Sequence, residues 1–418
     1  MIDKIKKIPK RHKYSIFIFL FIFVYNFVVV EDFSFPAIDQ ITYTYHIVDY
    51  SVGFCTKLLP GAIYNTIFTT TDAEAVNLYF IVLYHIFLVI VSLMLEKFLY
   101  RIDLKSRSIA FVIVLFFVTG PATFSIHTFR LGMLDTYWLF FSVAFLFMIQ
   151  NRYLKWFVPI VFILSVFVHV SAMVSFIPFF ALIILLEVLQ NEKERNSYVA
   201  IFTVSVVLSV ITFLYFVAFE ENNLLIDVDS FKNFINERNI SEWEDYTIYY
   251  DYSLYRKSYV DGTSLMGVTS DDSVFVVRVL EAFWFQIKET FRASSNNGKY
   301  ITGTFIAIFF SMPIIVFLYK YIFSVLKKEQ SNKLKLFVWV CTLCLFPLTF
   351  ITGSLCSPDI VRWFGHGVMV LFTLILYQIY RYDKEYMDAL SANINNHTML
   401  PVIIYFLFYM SYTIDPYC

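Results

Sequence analysis

The sequence predicts an all-α polytopic membrane protein, a helix bundle of about eleven transmembrane helices with a cytoplasmic N-terminus and a large outer loop. Three observations predict this fold class: a mean hydropathy of +0.67, a charged fraction of only 16%, and repeated apolar runs. These runs are about 20 residues long, the length that a helix needs to cross the hydrocarbon of a bilayer. We therefore expect residues 1–418 to form a single integral membrane domain.

Each predicted helix is an apolar run bounded by polar or charged residues. The first run follows six lysines and arginines and so resembles a signal peptide. No small-x-small cleavage site follows it, and we interpret it as a membrane helix. The predicted spans are residues 14–30, 76–97, 107–126, 133–149, 155–171, 173–190, 198–219, 301–323, 334–353, 364–380 and 399–412.

The distribution of lysine and arginine predicts the orientation. With the N-terminus inside, 21 of the 32 basic residues fall in cytoplasmic segments, and the short outer loops hold only Lys57, Arg130 and Arg362. The other eight lie in the long segment 220–300, which such counting excludes. This asymmetry predicts a cytoplasmic N-terminus, an outer C-terminus, and outer positions for the first loop, 31–75, and for 220–300.

The large outer loop, residues 220–300, is acidic, with 14 Asp and Glu against eight Lys and Arg. Its segments 243–246 and 249–252 combine aromatic rings with carboxylates, a combination that suits sugars as well as a packed lid. We expect a lid over the outer cavity with carbohydrate contacts. Residues 273–292 are predicted to form an amphipathic helix in the membrane interface, because charges interrupt the apolar run along one stripe.

Composition and motif content exclude several function classes. The net charge of -1 is unlike that of a polybasic nucleic-acid binder, so we expect no nucleic-acid partner. The chain lacks a phosphate-cradling glycine loop, a zinc-protease motif and an internal repeat. Its five cysteines form neither a disulfide framework nor a zinc spacing, although Cys55, Cys356 and Cys418 leave one outer disulfide open. We expect no metal and no cofactor.

The first outer loop, residues 31–75, places acidic side chains and His46 among several tyrosines. A membrane sugar transferase that takes its donor from a lipid phosphate commonly has an acidic base early in this loop. Asp32, Asp39 and Asp49 are candidates for such a role, and Asp39 is a candidate substrate-binding residue. The alternative is that they are ordinary solvated acids of a loop.

A second outer site follows Gly120-Pro121, which is expected to break or kink the third helix because proline removes a backbone donor. His127 and Arg130 follow at an i, i+3 spacing, and Asp135 lies at the start of the next helix. The forked guanidinium of Arg130 matches phosphate oxygens, which makes it a candidate catalytic residue, with His127 and Asp135 binding substrate. The alternatives are an Arg130–Asp135 pair or an arginine that snorkels to headgroups.

Two histidines lie inside predicted membrane segments. His169 ends the fifth helix on the predicted outer side, where it could orient an acceptor hydroxyl or take its proton. The alternative is a packed histidine without a chemical role. His85, near the middle of the second helix, is expected to serve packing or a structural hydrogen bond.

The third outer site begins at residues 357–359, where Ser, Pro and an acid form a strong helix start. Asp359, Arg362 and His366 follow at i, i+3 and i+7, so they share one helix face. Arg362 and His366 are therefore candidate catalytic residues and Asp359 a candidate substrate ligand. The alternative is an Asp359–Arg362 pair that only fixes the loop.

Several of these segments resemble a known family. The Arg130-Leu-Gly segment, the basic turn 151–155 and the His169-Val-Ser-Ala segment, separated by apolar helices, resemble the central region of bacterial EpsG/Wzy-type polysaccharide polymerases. The later Asp359-x-x-Arg362-Trp segment is similar to an outer charged motif of polysaccharide polymerases. The resemblance covers roughly residues 120–190 and 355–380.

This resemblance implies polymerisation of undecaprenyl-diphosphate-linked oligosaccharide repeat units on the outer face of the bacterial cytoplasmic membrane, for capsule, exopolysaccharide or O-antigen-like chains. The implied partners are the lipid-linked oligosaccharide, membrane lipids and other polysaccharide-assembly proteins. In this interpretation Arg130 and Arg362 hold the diphosphate and stabilise its departing charge. His169 or His366 orients or deprotonates the acceptor hydroxyl, without a metal.

Two other functions stay open. A polytopic glycosyltransferase would add one sugar from a polyprenyl-phosphate donor, with Asp32, Asp39 or Asp49 as its base. A flippase for lipid-linked oligosaccharides would place charges along a path across the membrane and commonly has repeated halves, whereas the polar groups here gather on one side. A polysaccharide acyltransferase is a further alternative.

Overall fold

The structure is a computed structural model. Its described residues form helices joined by turns and short connections, with no strand among them. The all-α prediction is confirmed for this part of the chain. The residues described are 12–30, 38, 40–52, 54, 56–68, 72–120, 133–219, 298–329, 332–356, 360–393 and 396–411.

The helices follow the predicted apolar runs closely. A π-helical turn, Asn26–Val30, extends the first helix, and 3-10 segments at Leu154–Phe157 and Val170–Met173 precede two others. The α-helices of the described ranges are α1 Lys13–Tyr25, α2 Gln40–Ile47, α3 Leu59–Ile67, α4 Ala73–Arg101, α5 Arg107–Val118, α6 Leu134–Ile149, α7 Val158–Val168, α8 Phe176–Gln190, α9 Arg195–Phe219, α10 Gly298–Lys328, α11 Lys333–Cys356, α12 Ile360–Arg381, α13 Glu385–Asn393 and α14 Asn396–Met410.

Six helical segments in the described part are long and apolar enough to cross a membrane, as in a multi-pass membrane protein. Shorter apolar helices occupy the other predicted spans, so the count of eleven crossings and the orientation stay predictions. The six long segments are Ala73–Arg101, Val170–Gln190, Glu192–Phe216, Phe305–Lys328, Lys333–Leu355 and Ile360–Arg381, and the shorter ones are Lys13–Val29, Arg107–Val118, Leu134–Ile149, Leu154–Val168 and Leu400–Met410.

The third predicted span, 107–126, is shorter as a helix because Gly120 ends it. Gly120 has a φ of 83°, in the left-handed region that glycine tolerates best. A Cβ atom at this position would lie 1.9 Å from the ring of Tyr409. The expected break near the end of this helix is therefore confirmed at Gly120, while the segment 121–132 lies outside the described residues.

Helix α12 forms the centre of the bundle. In the 18-residue apolar stretch of α12, 83% of the residues are buried, compared with 22% in the apolar stretch of the segment that contains α9. The high buried fraction places α12 among other helices on most of its sides. The outer helices instead expose large apolar side chains such as Leu78, Ile211 and Phe309, a surface compatible with lipid contact.

Helices α4, α6, α8 and α12 run in the same direction through the bundle. Near their C-terminal ends, Lys97 of α4 lies over the ring of Tyr380 of α12, and Glu187 of α8 binds Arg381. We call this the basic end, and the end where α6 and α12 begin the cluster end. Under the predicted orientation the basic end is cytoplasmic and the cluster end is outside.

The predicted first outer loop contains two helices that sequence reasoning missed, α2 and α3. His46 of α2 is fully buried, with its ring 5.0 Å from that of Phe80 and 5.8 Å from that of Tyr137. Asp49 accepts hydrogen bonds from the Ser51 backbone and the Asn65 side chain. The described part of this segment thus packs onto the cluster end of the bundle.

Some predictions fall on undescribed residues. The predicted lid and the predicted interfacial helix at 273–292 lie outside the described residues. Within the segment 220–300, only residues 298–300 are described. Among the cysteines with described side chains, Cys341 and Cys344 are free thiols. The proposed outer disulfide is therefore untested.

Candidate functional site

Asp135 is the anchor of a buried charge cluster at the cluster end. It is the second residue of α6, where the positive end of the helix dipole favours an acid. Arg362 donates from Nε to Asp135 Oδ2 and from Nη2 to Oδ1, both at 2.6 Å. His366 Nε2 lies 3.1 Å from the same Oδ2. We call Asp135, Arg362 and His366 the charge cluster.

The charge cluster depends on the pitch of α12. Arg362 and His366 are four residues apart, so they project from one face, as the sequence predicted. In the structure this face meets Asp135 of α6. Trp363 fixes the helix against α11, since a Cβ at Gly353 would lie 2.1 Å from the indole ring. A glycine at position 353 is therefore required for the two helices to approach this closely.

Aromatic rings enclose the imidazole of His366. The rings of Trp138, Phe176 and Trp363 meet it edge to face, with centroid distances of 5.7, 5.6 and 5.2 Å. His366 is 0% exposed and the Asp135 side chain 1%, while the Arg362 side chain retains 12%. A ligand that reaches the charge cluster in this arrangement therefore meets Arg362.

The Asp135–Arg362 pair has the geometry that best offsets desolvation. Two parallel charge-assisted hydrogen bonds join the forked guanidinium to both carboxylate oxygens. Burying two charges is costly unless such geometry and further hydrogen bonds satisfy them, and His366 supplies one more. The pair consequently holds the guanidinium in one orientation.

His169 lies near the charge cluster, at the junction of α7 and the 3-10 segment that follows. Its Nδ1 is 3.1 Å from the Ser171 backbone N and 2.6 Å from Ser171 Oγ. Because a backbone N–H only donates, Nδ1 must accept, so the neutral imidazole carries its proton on Nε2. In this arrangement His169 offers a hydrogen-bond donor at Nε2 and no basic nitrogen at that position.

One carbonyl ties His169 to α6. The Ser165 carbonyl accepts from Trp138 Nε1 at 3.1 Å and from the His169 backbone N at 3.3 Å. The rings of Trp138 and His169 are 6.1 Å apart. The ring of Trp138 also lies 5.7 Å from that of His366, so His169 belongs to the same site as the charge cluster.

Lys57 is the site residue that sequence reasoning missed. Its backbone has a φ of 70°, which is uncommon for a residue other than glycine and marks stored strain. The Lys57 backbone N donates to the Phe167 carbonyl at 3.1 Å, which fixes this segment to α7. The sequence does contain a signal for Lys57, because cations are rare in the short predicted outer loops and Lys57 is one of only three there.

The structure brings four of the predicted site residues together: His169, Arg362, His366 and Asp135. The alternative pairing of Asp135 with Arg130 is untested, although Arg362 binds both Asp135 oxygens. The other predicted site residues, Arg130, His127, Asp39 and Asp359, lie outside the described residues.

Two further expectations concern histidine and metal. His85 Nδ1 lies 2.7 Å from the Ile81 carbonyl of its own helix, which confirms a structural hydrogen bond. Within the described ranges, no group of three or more His, Cys, Asp or Glu side chains is placed to hold a metal ion. The charge cluster itself offers one carboxylate, and that carboxylate is bound to Arg362.

Comparisons with known proteins leave the family of this chain open. No protein-family model matches it, and neither a curated protein nor a solved structure matches it significantly. The resemblance to EpsG/Wzy-type polymerases thus stays a prediction. What the site can do chemically follows from its groups, which are two cations and one imidazole N–H donor around a buried carboxylate.

Proposed function

We propose that this chain polymerises undecaprenyl-diphosphate-linked oligosaccharide repeat units and binds their diphosphate at the cluster end. The observation that supports this proposal is the buried Asp135–Arg362 pair with His169 and Lys57 beside it. Ionisable groups inside a membrane bundle are costly and commonly mark a working site. A diphosphate on a lipid is the anionic group that such a site would meet.

Arg362 is the proposed ligand of the departing diphosphate. A guanidinium has five N–H donors in a fixed fork, and Asp135 binds two of them. Because Asp135 orients the fork before substrate arrives, little reorganisation is needed when negative charge develops on the leaving oxygen. Lys57 adds a second cation, and its backbone N donates to the carbonyl of Phe167, two residues before His169.

The two histidines have different proposed roles. His169 donates from Nε2 to a phosphate oxygen or to the acceptor hydroxyl, because its Nδ1 already accepts from Ser171. His366 is fully buried against Asp135 and acts as a positioning residue. The base that takes the proton of the acceptor hydroxyl is then proposed to be Asp39 or Asp359.

The location follows from the predicted orientation. Eleven crossings with a cytoplasmic N-terminus place the cluster end outside, where repeat units would be joined into capsule, exopolysaccharide or O-antigen-like chains. The proposed membrane is the bacterial cytoplasmic membrane, and the proposed partners are the lipid-linked oligosaccharide and other polysaccharide-assembly proteins. The segment 220–300 would then cover the site from outside.

The test is polymerisation by the full-length protein in proteoliposomes supplied with a lipid-linked repeat unit, followed on a gel as a ladder of chain lengths. We expect Arg362→Lys to reduce ladder formation by roughly a hundredfold or more, the loss seen when one stabilising donor is removed. The matched control is Arg381→Lys, which changes an ion-paired arginine at the other end of the same helix. A normal ladder from Arg362→Lys at the wild-type protein level would refute the proposal.

A second variant separates the polymerase from the single-sugar transferase. Asp49 already accepts hydrogen bonds from Ser51 and Asn65 within its own segment, so we assign it a structural role. Asp49→Asn is expected to retain the ladder. If Asp49→Asn abolishes sugar transfer while Arg362→Lys retains it, the transferase interpretation replaces ours.

A further inference from the structure

An apolar cavity of about 530 Å³ lies between α4, α6 and α12, in the half of the bundle near the basic end. Its size falls within the roughly 300–1,000 Å³ of ligand sites. The cavity opens at the side of the bundle, since its lining includes exposed apolar side chains such as Ile90, Leu93 and Phe147. Such a cavity faces the region where lipid chains would lie.

The cavity is separate from the proposed diphosphate site. Its lining begins at Leu139 and Met369 and does not include the charge cluster or His169. The packed rings of Trp138, Phe176 and His366, all 0% exposed, lie between the cavity and Arg362. A molecule in this cavity is therefore not the substrate tail of the proposed function.

The mouth of the cavity carries two cations. Lys97 and Arg101 are exposed on the last turns of α4, one helical turn apart, and lie 5.9 and 4.7 Å from the centroid of the Tyr380 ring. Neither forms a salt bridge within the described part of the chain. Cations at the end of transmembrane helices attract anionic headgroups.

A polar recess of about 230 Å³ adjoins the mouth and shares Tyr380 with the cavity. Arg101 and Lys384 line it together with the acids Asp383 and Glu385. Asp383 accepts a hydrogen bond from Tyr321. The apolar cavity and the polar recess therefore meet at the ring of Tyr380.

The depth of the cavity indicates the length of its occupant. Its lining on α6 extends from Leu139 to Gln150, which corresponds to about 16 Å along a helix. This is about half of the roughly 30 Å hydrocarbon thickness of a bilayer. The cavity thus spans one leaflet, the depth of the acyl chain of a bilayer lipid.

We infer that the cavity and its mouth bind an anionic phospholipid of the bilayer, with one acyl chain in the cavity and the phosphate against Lys97 and Arg101. Under the predicted orientation this lipid comes from the cytoplasmic leaflet. It would fill the space between α4, α6 and α12 and thereby hold these helices together. The inference is independent of the proposed polymerase activity.

Native mass spectrometry of the full-length protein, titrated with phosphatidylglycerol or phosphatidylcholine of equal chain length, tests this inference. We expect one phosphatidylglycerol to bind at least fivefold more tightly than phosphatidylcholine. Lys97→Gln/Arg101→Gln should weaken phosphatidylglycerol binding by roughly tenfold, because each basic residue contributes to headgroup attraction. The matched control is Lys193→Gln/Lys327→Gln, which removes two exposed cations that do not line the cavity. This control should leave the binding of phosphatidylglycerol unchanged.

A cavity-filling variant tests the acyl chain separately. Val143 lines the cavity and is half-buried, so Val143→Trp should weaken the binding of both lipids while the cationic mouth remains. Equal binding of the two lipids by the wild-type protein would overturn the inference, as would an equal loss in the control pair. Displacement of phosphatidylglycerol by a polyprenyl phosphate at lower concentration would overturn it in favour of a carrier-lipid site.

Discussion

Replacing Asp135 by asparagine keeps the shape of the side chain and removes its charge. In the native arrangement the carboxylate accepts two hydrogen bonds of 2.6 Å from Arg362 and lies 3.1 Å from His366 Nε2. An amide has one oxygen, and its NH₂ group would face the donors of the guanidinium. Asp135→Asn therefore removes the carboxylate charge that binds the largely buried guanidinium on both of its oxygens.

Two magnitudes compete in the expected loss of stability. Hydrogen bonds between membrane helices contribute about 0.6 kcal/mol on average, whereas removing one partner of a buried ion pair costs about 3–5 kcal/mol. Because Arg362 retains 12% exposure, water can solvate part of the guanidinium. We expect Asp135→Asn to lower the free energy of unfolding by about 3 kcal/mol, near the lower limit of the ion-pair range.

The double variant Asp135→Asn/Arg362→Gln removes the buried charge as well as its partner. It should lose less stability than the sum of the single variants, with a coupling free energy of about 2 kcal/mol. The assay is equilibrium unfolding of the full-length protein in mixed micelles with increasing SDS, followed by tryptophan fluorescence. Trp138 and Trp363 lie beside the charge cluster and report on it.

Ser142→Ala is the matched control for this experiment. It removes a buried hydroxyl in the same helix, whose Oγ donates to the Trp138 carbonyl at 2.7 Å. The expected loss is under about 1 kcal/mol, as for other neutral hydrogen bonds in membrane bundles. If Asp135→Asn costs no more than Ser142→Ala, or if the double variant shows no coupling, the ion pair does not stabilise the bundle as argued.

Two further predictions use the same unfolding assay. Glu187 is fully buried and accepts from Tyr377 at 2.5 Å and from Arg381 at 3.4 Å, so Glu187→Gln should cost about 2 kcal/mol and Tyr377→Phe about 1 kcal/mol. Equal losses for these two variants would show that Arg381 contributes nothing. Lys57→Asn should be about 1–2 kcal/mol more stable than Lys57→Val, because asparagine tolerates the left-handed backbone and a β-branched residue does not. Equal stability of the Lys57 variants would indicate that the backbone at this position relaxes.

The helices themselves were predictable, because long apolar runs leave few alternatives to a membrane helix. The pairing of helices was not. Sequence reasoning considered local partners, Arg130 for Asp135 and Asp359 for Arg362, whereas the structure joins Asp135 to Arg362 across 227 positions. Helix surfaces that are almost uniformly apolar carry little information about which helix lies next to which.

The candidate site shows the same limit at the level of single residues. The shared face of Arg362 and His366 follows from helical periodicity and was predicted. The roles of His169 and Lys57 depend on the Ser171 hydrogen bond and on a left-handed backbone, neither of which residue type or spacing determines. Helices α2 and α3 were missed because their apolar runs are short and they are stabilised by packing on the bundle.

Ionic contacts hold α12 at both ends, Arg362 with Asp135 of α6 and Arg381 with Glu187 of α8. The two arginines are 19 positions apart, roughly 28 Å along the axis. Rotating the helix by one residue, or sliding it by one turn, would break both contacts together. A central helix locked in rotation and in height against two different neighbours can move only together with them, so α6, α8 and α12 form one unit of the bundle.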